Sequence, residues 1–167
     1  MTDLVGKKAV ATWTNPSNPS DIVSFSIDKS SKIKRLTEVN NDLFYNVEFG
    51  QVEEITYASK DGMKVQGWIV KPPQFDPNKK YPLVLRIHGG PHSMYHVGFN
   101  YNFQLHAAQD QVVLYTNPRG STGYGYEFAN AIQNAYPGND YDDLMAGVDE
   151  VIAKGYIDEN KMYVYGG

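Results

Sequence analysis

The sequence predicts an α/β domain built on a mostly parallel sheet and preceded by a short antiparallel β meander, and three observations carry that prediction. Pro82–Ile87 and Gln111–Thr116 are compact apolar runs of the kind that form strands buried on both faces of a parallel sheet. A helical stretch lies between them, so the two strands and their crossover form a βαβ unit that is expected to be right-handed. The first fifty residues differ in character: short alternating segments separated by turn-forming residues.

Composition sets the outer limits. A chain of 167 residues is about one domain, and 41% hydrophobic, 13% aromatic and 20% charged residues describe a globular protein rather than a disordered or fibrous one. The net charge of -4 contains no block of like charge, so no nucleic-acid or anionic-membrane surface is expected. Apolar runs reach about five or six residues, far below the roughly 20 that span a bilayer. No cysteine is present, which excludes disulfides, thiolate metal sites and a cysteine nucleophile. That fits a reducing compartment, and Met1–Lys8 lacks the layout of a secretory signal, so a cytoplasmic location is expected.

In the first fifty residues, strands are expected at Ala9–Thr14, Asp21–Asp28 and Ile33–Thr37. Asn15–Ser20 separates the first pair, and a turn at Lys29–Lys32 follows the second. Three such strands cannot stand alone; a meander this small belongs to a larger sheet or to a propeller blade. From Glu53 the signals strengthen. Glu54–Lys60 and Met63–Lys71 flank Asp61-Gly62, a two-residue type I′ hairpin signal, and Lys71–Pro77 is a proline-rich loop. Helices are expected at Val97–Gln109, with Phe99, Phe103, Leu105 and Ala107 as its apolar residues, and at Gly125–Asn134. The clearest helix is Asp140–Lys154, where Leu144, Val148, Val151 and Ile152 fall on one face. Asn139 or Asp140 is its expected cap, and Gly155 its expected stop. Lys161–Tyr165 is a third apolar strand and leads into Gly166-Gly167.

The order of these elements places two glycine-rich turns where an α/β-hydrolase fold needs them. There, the loop after the third strand supplies an oxyanion-hole N–H, and the turn after the fifth is the nucleophile elbow G-x-S-x-G. Counting the hairpin as strands one and two, His88-Gly89-Gly90-Pro91 follows the third and Gly166-Gly167 the fifth. Glycine serves both turns, because backbone N–H groups must approach a developing oxyanion to ~2.7–3.1 Å without a Cβ in the way. Gly166 and Gly167 then match the first two elbow positions, with a serine expected next.

His88–His92, Asn117–Gly125 and Asp140–Leu144 together resemble the prolyl oligopeptidase family of serine peptidases, in its acylaminoacyl-peptidase and dipeptidyl-peptidase-like branch. The resemblance implies that residues 1–50 are the remnant of a last β-propeller blade and that 51–167 begin the α/β-hydrolase catalytic domain. It implies that the Gly90 N–H donates to the oxyanion while Gly89 shapes the loop. Some relatives use a tyrosine side chain at the position of His88; a histidine there is not expected to take that role. The family's catalytic Asp and His follow the serine, so these 167 residues alone are expected to be inactive. The implied activity is hydrolysis of short peptides through an acyl-enzyme, releasing acylated amino acids or dipeptides, with no cofactor and no metal. The expected partners are a peptide substrate and the rest of the hydrolase domain, which would cover the open edge of Lys161–Tyr165; a homo-oligomer is also compatible. The competing readings are a carboxylesterase or lipase on the same fold, and a non-catalytic binding module.

Several other residues admit a sharper role than their expected one. His88, His92 and His96 are spaced by four, as helical zinc ligands would be, but Gly89-Gly90-Pro91 breaks any helix there and loop ordering is the expected role. Gly120–Gly125 lacks the lysine of a phosphate-binding loop, and Ser121 sits outside any elbow pattern. Arg119 lies past the C-terminal end of a strand, where substrates of open α/β sheets collect; an ion pair that orders the loop is the favoured role and substrate contact the alternative. Tyr124 is a candidate pocket residue. Asp140, Asp142 and Asp143 suit the positive end of a helix better than a calcium loop.

Overall fold

The computed structural model describes the backbone of residues 2–5 and all of residues 7–28 and 32–167. The turn expected at Lys29–Lys32 lies, at positions 29–31, outside the described residues. The chain divides into two units, one made of residues 1–48 with 97–101 and the other of 49–96 with 102–167.

The first unit is an antiparallel sheet of four strands rather than three. β1 (Thr2–Val5), β2 (Lys8–Asn15), β3 (Asn18–Ser26) and β4 (Lys34–Arg35) pair in sequence order. The turn between β2 and β3 is tighter than the sequence suggests. Asn15 Oδ1 accepts from the N–H of Ser17 and from Asn18 Nδ2, both at 2.9 Å, which folds the chain back by Asn18. Buried Asp21 accepts from Thr37 Oγ1 at 2.8 Å and from the Val39 N–H at 3.2 Å, anchoring the strand that leads to the short helix α1 (Asn41–Phe44). Residues 97–101 join this unit: the Phe99 N–H donates to Thr14 Oγ1 at 3.1 Å, and its ring lies 6.0 Å from that of Phe44. Phe99 therefore lies outside the helix that periodicity assigned to it. That helix, α2, covers only Tyr101–Ala107, because Gly98 and Asn100 are poor helix formers and Phe99 spends its amide on Thr14.

The second unit holds β5 (Val52–Ala58), β6 (Lys64–Val70), β7 (Tyr81–Ile87), β8 (Val112–Asn117) and β9 (Ile157–Gly166) in the order β5-β6-β8-β7-β9. β5, β6 and β8 pair antiparallel, and β8, β7 and β9 pair parallel. Val112, Val113 and Leu114 are consecutive and all 0% exposed, so both faces of β8 are covered. Val112 and Leu114 point into a core shared with Val148 and Val151 of α4 (Asn139–Ala153), while Val113 and Tyr115 face Phe103 and Ala107 of α2. The sheet is thus sandwiched between helices, as the paired apolar runs require.

Two glycines allow close packing. A Cβ on Gly67 would lie 2.7 Å from Thr116 Cγ2, and one on Gly147 would lie 2.6 Å from the Tyr57 hydroxyl, which donates to the Asp143 carbonyl at 2.9 Å. Three local expectations change. The β5–β6 hairpin turns through Lys60-Asp61-Gly62 with only Gly62 at positive φ (87°), so it is a three-residue loop and not type I′. α4 is preceded by Gly138, and Asp140 Oδ1 accepts from the Gly138 N–H at 2.7 Å instead of capping the helix from Asn139 or Asp140. The helix expected at Gly125–Asn134 shortens to α3 (Tyr126–Asn130). β9 lies at the sheet edge, with Val164 67% exposed and Met162, Tyr163 and Tyr165 also open to solvent.

Candidate active site

β7 and β9 are adjacent and parallel, with Ile87 paired to Gly166, so their C-terminal ends emerge side by side and the turns that follow meet. A Cβ on Gly89 would lie 2.9 Å from the carbonyl carbon of Gly167 and closer still to its oxygen; one on Gly166 would lie 3.0 Å from the Ile87 oxygen. Both are close backbone approaches, and the one at Gly89 leaves no space for a side chain. Gly90 has φ +133°, and a Cβ there would lie 2.8 Å from the His92 nitrogen. Among the described residues, none accepts a hydrogen bond from the Gly90 N–H. A donor without an internal acceptor therefore stands beside the turn that ends β9.

The end of β8 and the loop after it hold the segment that follows β7 in place. Asn117, 0% exposed, accepts from the Tyr95 N–H at 2.7 Å and returns Nδ2 to the Tyr95 carbonyl at 3.0 Å and to the Tyr124 hydroxyl at 2.6 Å. Tyr124 donates in turn to Gln66 Oε1. His92 Nδ1 lies 3.0 Å from the Gly120 carbonyl. His88 places Nδ1 3.0 Å from the Gly89 carbonyl and Nε2 2.9 Å from Ser121 Oγ, with its ring edge against Tyr95. The His88–Ser121 pair has the spacing of a base and a nucleophile, but Ser121 is 0% exposed and His88 faces a carbonyl where an orienting carboxylate would be.

Arg119 is committed to the interior. Its side chain is 5% exposed, and its Nε and one terminal nitrogen grip Asp143, itself 0% exposed, with contacts of 2.6 to 3.2 Å. The same guanidinium reaches Asp61, Ser59 Oγ and the Asn139 carbonyl, tying the β5–β6 hairpin, the β8 loop and the start of α4 together. The ion pair with Asp143 first, and with Asp61 second, holds Arg119 firmly charged; Arg119 in turn keeps the Asp61 carboxyl below the usual range. These contacts fit the loop-ordering role, with the guanidinium engaged by acceptors of the protein itself. The Tyr124 hydroxyl is likewise taken up by Asn117 and Gln66, and burial raises its pKa above the ordinary value. Local sequence pattern does not mark Asn117, Asp143 and Asp61 as loop supports, though Asn117 opens the same motif as Arg119 and the charge at Asp143 is what a buried arginine demands.

Residues 97–167 match the model of the prolyl oligopeptidase family. Over 159 residues, 95% of this chain, the sequence is 43% identical to an uncharacterized peptidase, YuxL, of Bacillus subtilis. The chain is similar to the prolyl oligopeptidase family. Its dipeptidyl-peptidase 5 relative in Schizosaccharomyces pombe is 36% identical over 68% of the chain. The chain also superposes on the acylaminoacyl peptidase of Pyrococcus horikoshii with a TM-score of 0.87 at 25% identity over 99% of its length. A puromycin-hydrolyzing peptidase of Mycobacterium tuberculosis shares the fold with a TM-score of 0.86 at 20% identity over 100% of the chain. The chain spans 24% and 17% of the two sequence relatives and 26% of each of the two solved chains.

Proposed function

We propose that the full-length protein is a serine peptidase acting on short peptides, releasing acylated amino acids or dipeptides through an acyl-enzyme. The observation that carries this reading is the meeting of Gly89 with Gly167, beside the uncommitted N–H of Gly90. In an acyl transfer, a hydroxyl adds to the peptide carbonyl, and the carbonyl oxygen takes the negative charge. The residue that follows Gly167 would present the hydroxyl, and the Gly90 N–H would stabilise the charge from the neighbouring turn. Support for a peptide substrate comes from an acylaminoacyl peptidase of the same fold, 25% identical with a TM-score of 0.87, solved in complex with Z-Gly-Gly-Phe-chloromethyl ketone. The first unit, in this reading, belongs to the last blade of a β-propeller.

Labelling the full-length protein with a fluorophosphonate probe tests the reading. One covalent adduct on the residue after Gly167, blocked by an acyl-peptide p-nitroanilide that is itself cleaved, is the expected result. No adduct would make the protein a non-catalytic binding module, and turnover of p-nitrophenyl esters without anilide cleavage would make it an esterase. Residues 1–167 alone are expected to take no label.

A further inference from the structure

We propose that the free edge of β5, with the cleft between that strand and α4, takes up an extended, lysine- or arginine-bearing segment of a partner protein as an added strand.

β5 ends the sheet order, and only β6 pairs with it. The bonds at the two ends of this pair fix which main-chain groups are engaged. The Ser59 N–H donates to the Met63 carbonyl at 2.7 Å, and the Lys71 N–H to the Gln51 carbonyl at 2.9 Å. Bonded and non-bonded pairs alternate along an antiparallel ladder, so residues 51, 53, 55, 57 and 59 turn their main chain to β6. The N–H and C=O groups of Glu54, Thr56 and Ala58 point away from the sheet, and among the described residues none bonds to them. All three residues are exposed. Proteins guard such edges with lysine, proline or a bulge. β5 has none of these: Val-Glu-Glu-Ile-Thr-Tyr-Ala runs in unbroken register against β6.

Beside this edge lies a cleft of about 610 Å³, with Ala58 and Lys60 on the strand side. α4 supplies the other wall through Tyr141, Met145 and the carboxylates of Asp142, Asp149 and Glu150. Tyr141 and Met145 are 59% and 37% exposed, so the wall offers apolar surface as well as charge. Against the three carboxylates stands one ammonium, Lys60, 3.3 Å from Asp142. Asp149 and Glu150 form no ion pair among the described residues.

This combination selects the occupant. An incoming strand meets unpaired donors and acceptors on β5, and every second one of its side chains faces α4. Lysine or arginine at those positions lays an aliphatic stem on Met145 and Tyr141 and carries its charge to Asp149 and Glu150. A second copy of this chain fits poorly. Its net charge is -4, β5 itself carries Glu53 and Glu54, and pairing two such edges brings both acidic walls together.

The test uses the full-length protein, treated beforehand with a fluorophosphonate so that binding at a catalytic serine is not counted. The probe is the fluorescein-labelled peptide Lys-Val-Lys-Val-Lys-Val-Lys, followed by anisotropy. Saturable binding that weakens with added salt is expected, and none for the counterpart with glutamate in place of lysine. Thr56→Pro deletes one outward donor while sparing the bonds to β6, and should weaken binding about 3- to 10-fold. Asp149→Lys combined with Glu150→Lys should weaken it about 10-fold or more. Both proteins should keep the wild-type melting temperature and the wild-type rate of anilide cleavage. If Thr56→Pro lowers the melting temperature, the charge-reversed protein decides alone. Absence of saturable binding to wild type, or undiminished affinity in either folded variant, would overturn the proposal. So would a wild-type dimer in sedimentation that Thr56→Pro dissociates, because the edge would then belong to a second copy.

Discussion

The carbonyl of Gly167 fills the space that a side chain on Gly89 would occupy, with its carbon 2.9 Å from where that Cβ would sit. Two loops 78 positions apart in the chain meet there because β7 and β9 are neighbours in register, Ile87 opposite Gly166.

Gly89→Ala should therefore separate the two turns. In the full-length protein the expected outcome is a loss of about 10- to 100-fold in kcat, a fraction of what deleting an oxyanion donor costs. Steady-state cleavage of an acyl-peptide anilide reads this directly. Undiminished kcat in a folded Gly89→Ala protein would mean that the approach of the two backbones contributes nothing to turnover.

Arg119 and Asp143 form an ion pair closed off from water, and removing one partner strands the other. Arg119→Ala is expected to destabilise by about 3–5 kcal/mol, measured by urea unfolding. Replacing both residues by alanine should cost less than the sum of the single replacements, since the double variant leaves no buried charge behind.

Asn117 satisfies both the N–H and the carbonyl of Tyr95. Asn117→Ala leaves those groups without their partner and should cost about 1–3 kcal/mol. Asn117→Asp keeps the shape but turns an acceptor toward the Tyr95 carbonyl and buries a charge, so its melting temperature should fall at least as far.

Two glycines separate backbone strain from crowding. Gly155 ends α4 at φ +87° with open space around it, so Gly155→Ala should cost about 1–2 kcal/mol from backbone conformation alone. Gly147→Ala gains helix propensity, yet its Cβ would press on the Tyr57 hydroxyl at 2.6 Å. It should lower stability as well, and pairing it with Tyr57→Phe should restore part of the loss.

Glu53 links Lys71 at 2.6 Å and Lys154 at 3.1 Å, and the hydrogen bond from Lys71 leads the causes that hold its carboxyl below the ordinary 4.5. A depressed carboxylate adds stability above its unfolded pKa and loses it as pH falls through the folded value. Wild type should exceed Glu53→Gln by at most about 1 kcal/mol near neutral pH, given its partial exposure. That gap should close as the pH drops below 4.5. A gap that stays constant down to pH ~3 would remove the role given to Lys71 and Lys154.

Much of the second unit was legible from local pattern. Pro82–Ile87 and Gln111–Thr116 read as doubly buried strands because uninterrupted apolar runs have no face to offer water, and both are interior to the sheet. The face of α4 followed from spacing alone, and Val148 and Val151 do line the core. Hairpin type and helix limits were less legible. Whether Asp61 shares positive φ with Gly62, or Phe99 belongs to α2, depends on partners elsewhere: Arg119 holds Asp61, and Thr14 takes the Phe99 amide.

Taken by itself, the sequence determined the central strands, the core face of α4 and the two turns where glycine must replace a side chain, since these follow from period and from the approaches that a Cβ forbids. Only the tertiary structure decided that β9 lies beside β7, that Arg119 turns inward to Asp143, and that His88 joins the Gly89 carbonyl to Ser121. Those facts rest on strand order and on pairs of polar groups that satisfy each other away from water. Such pairs are chosen by three-dimensional proximity, which no local pattern of residues encodes.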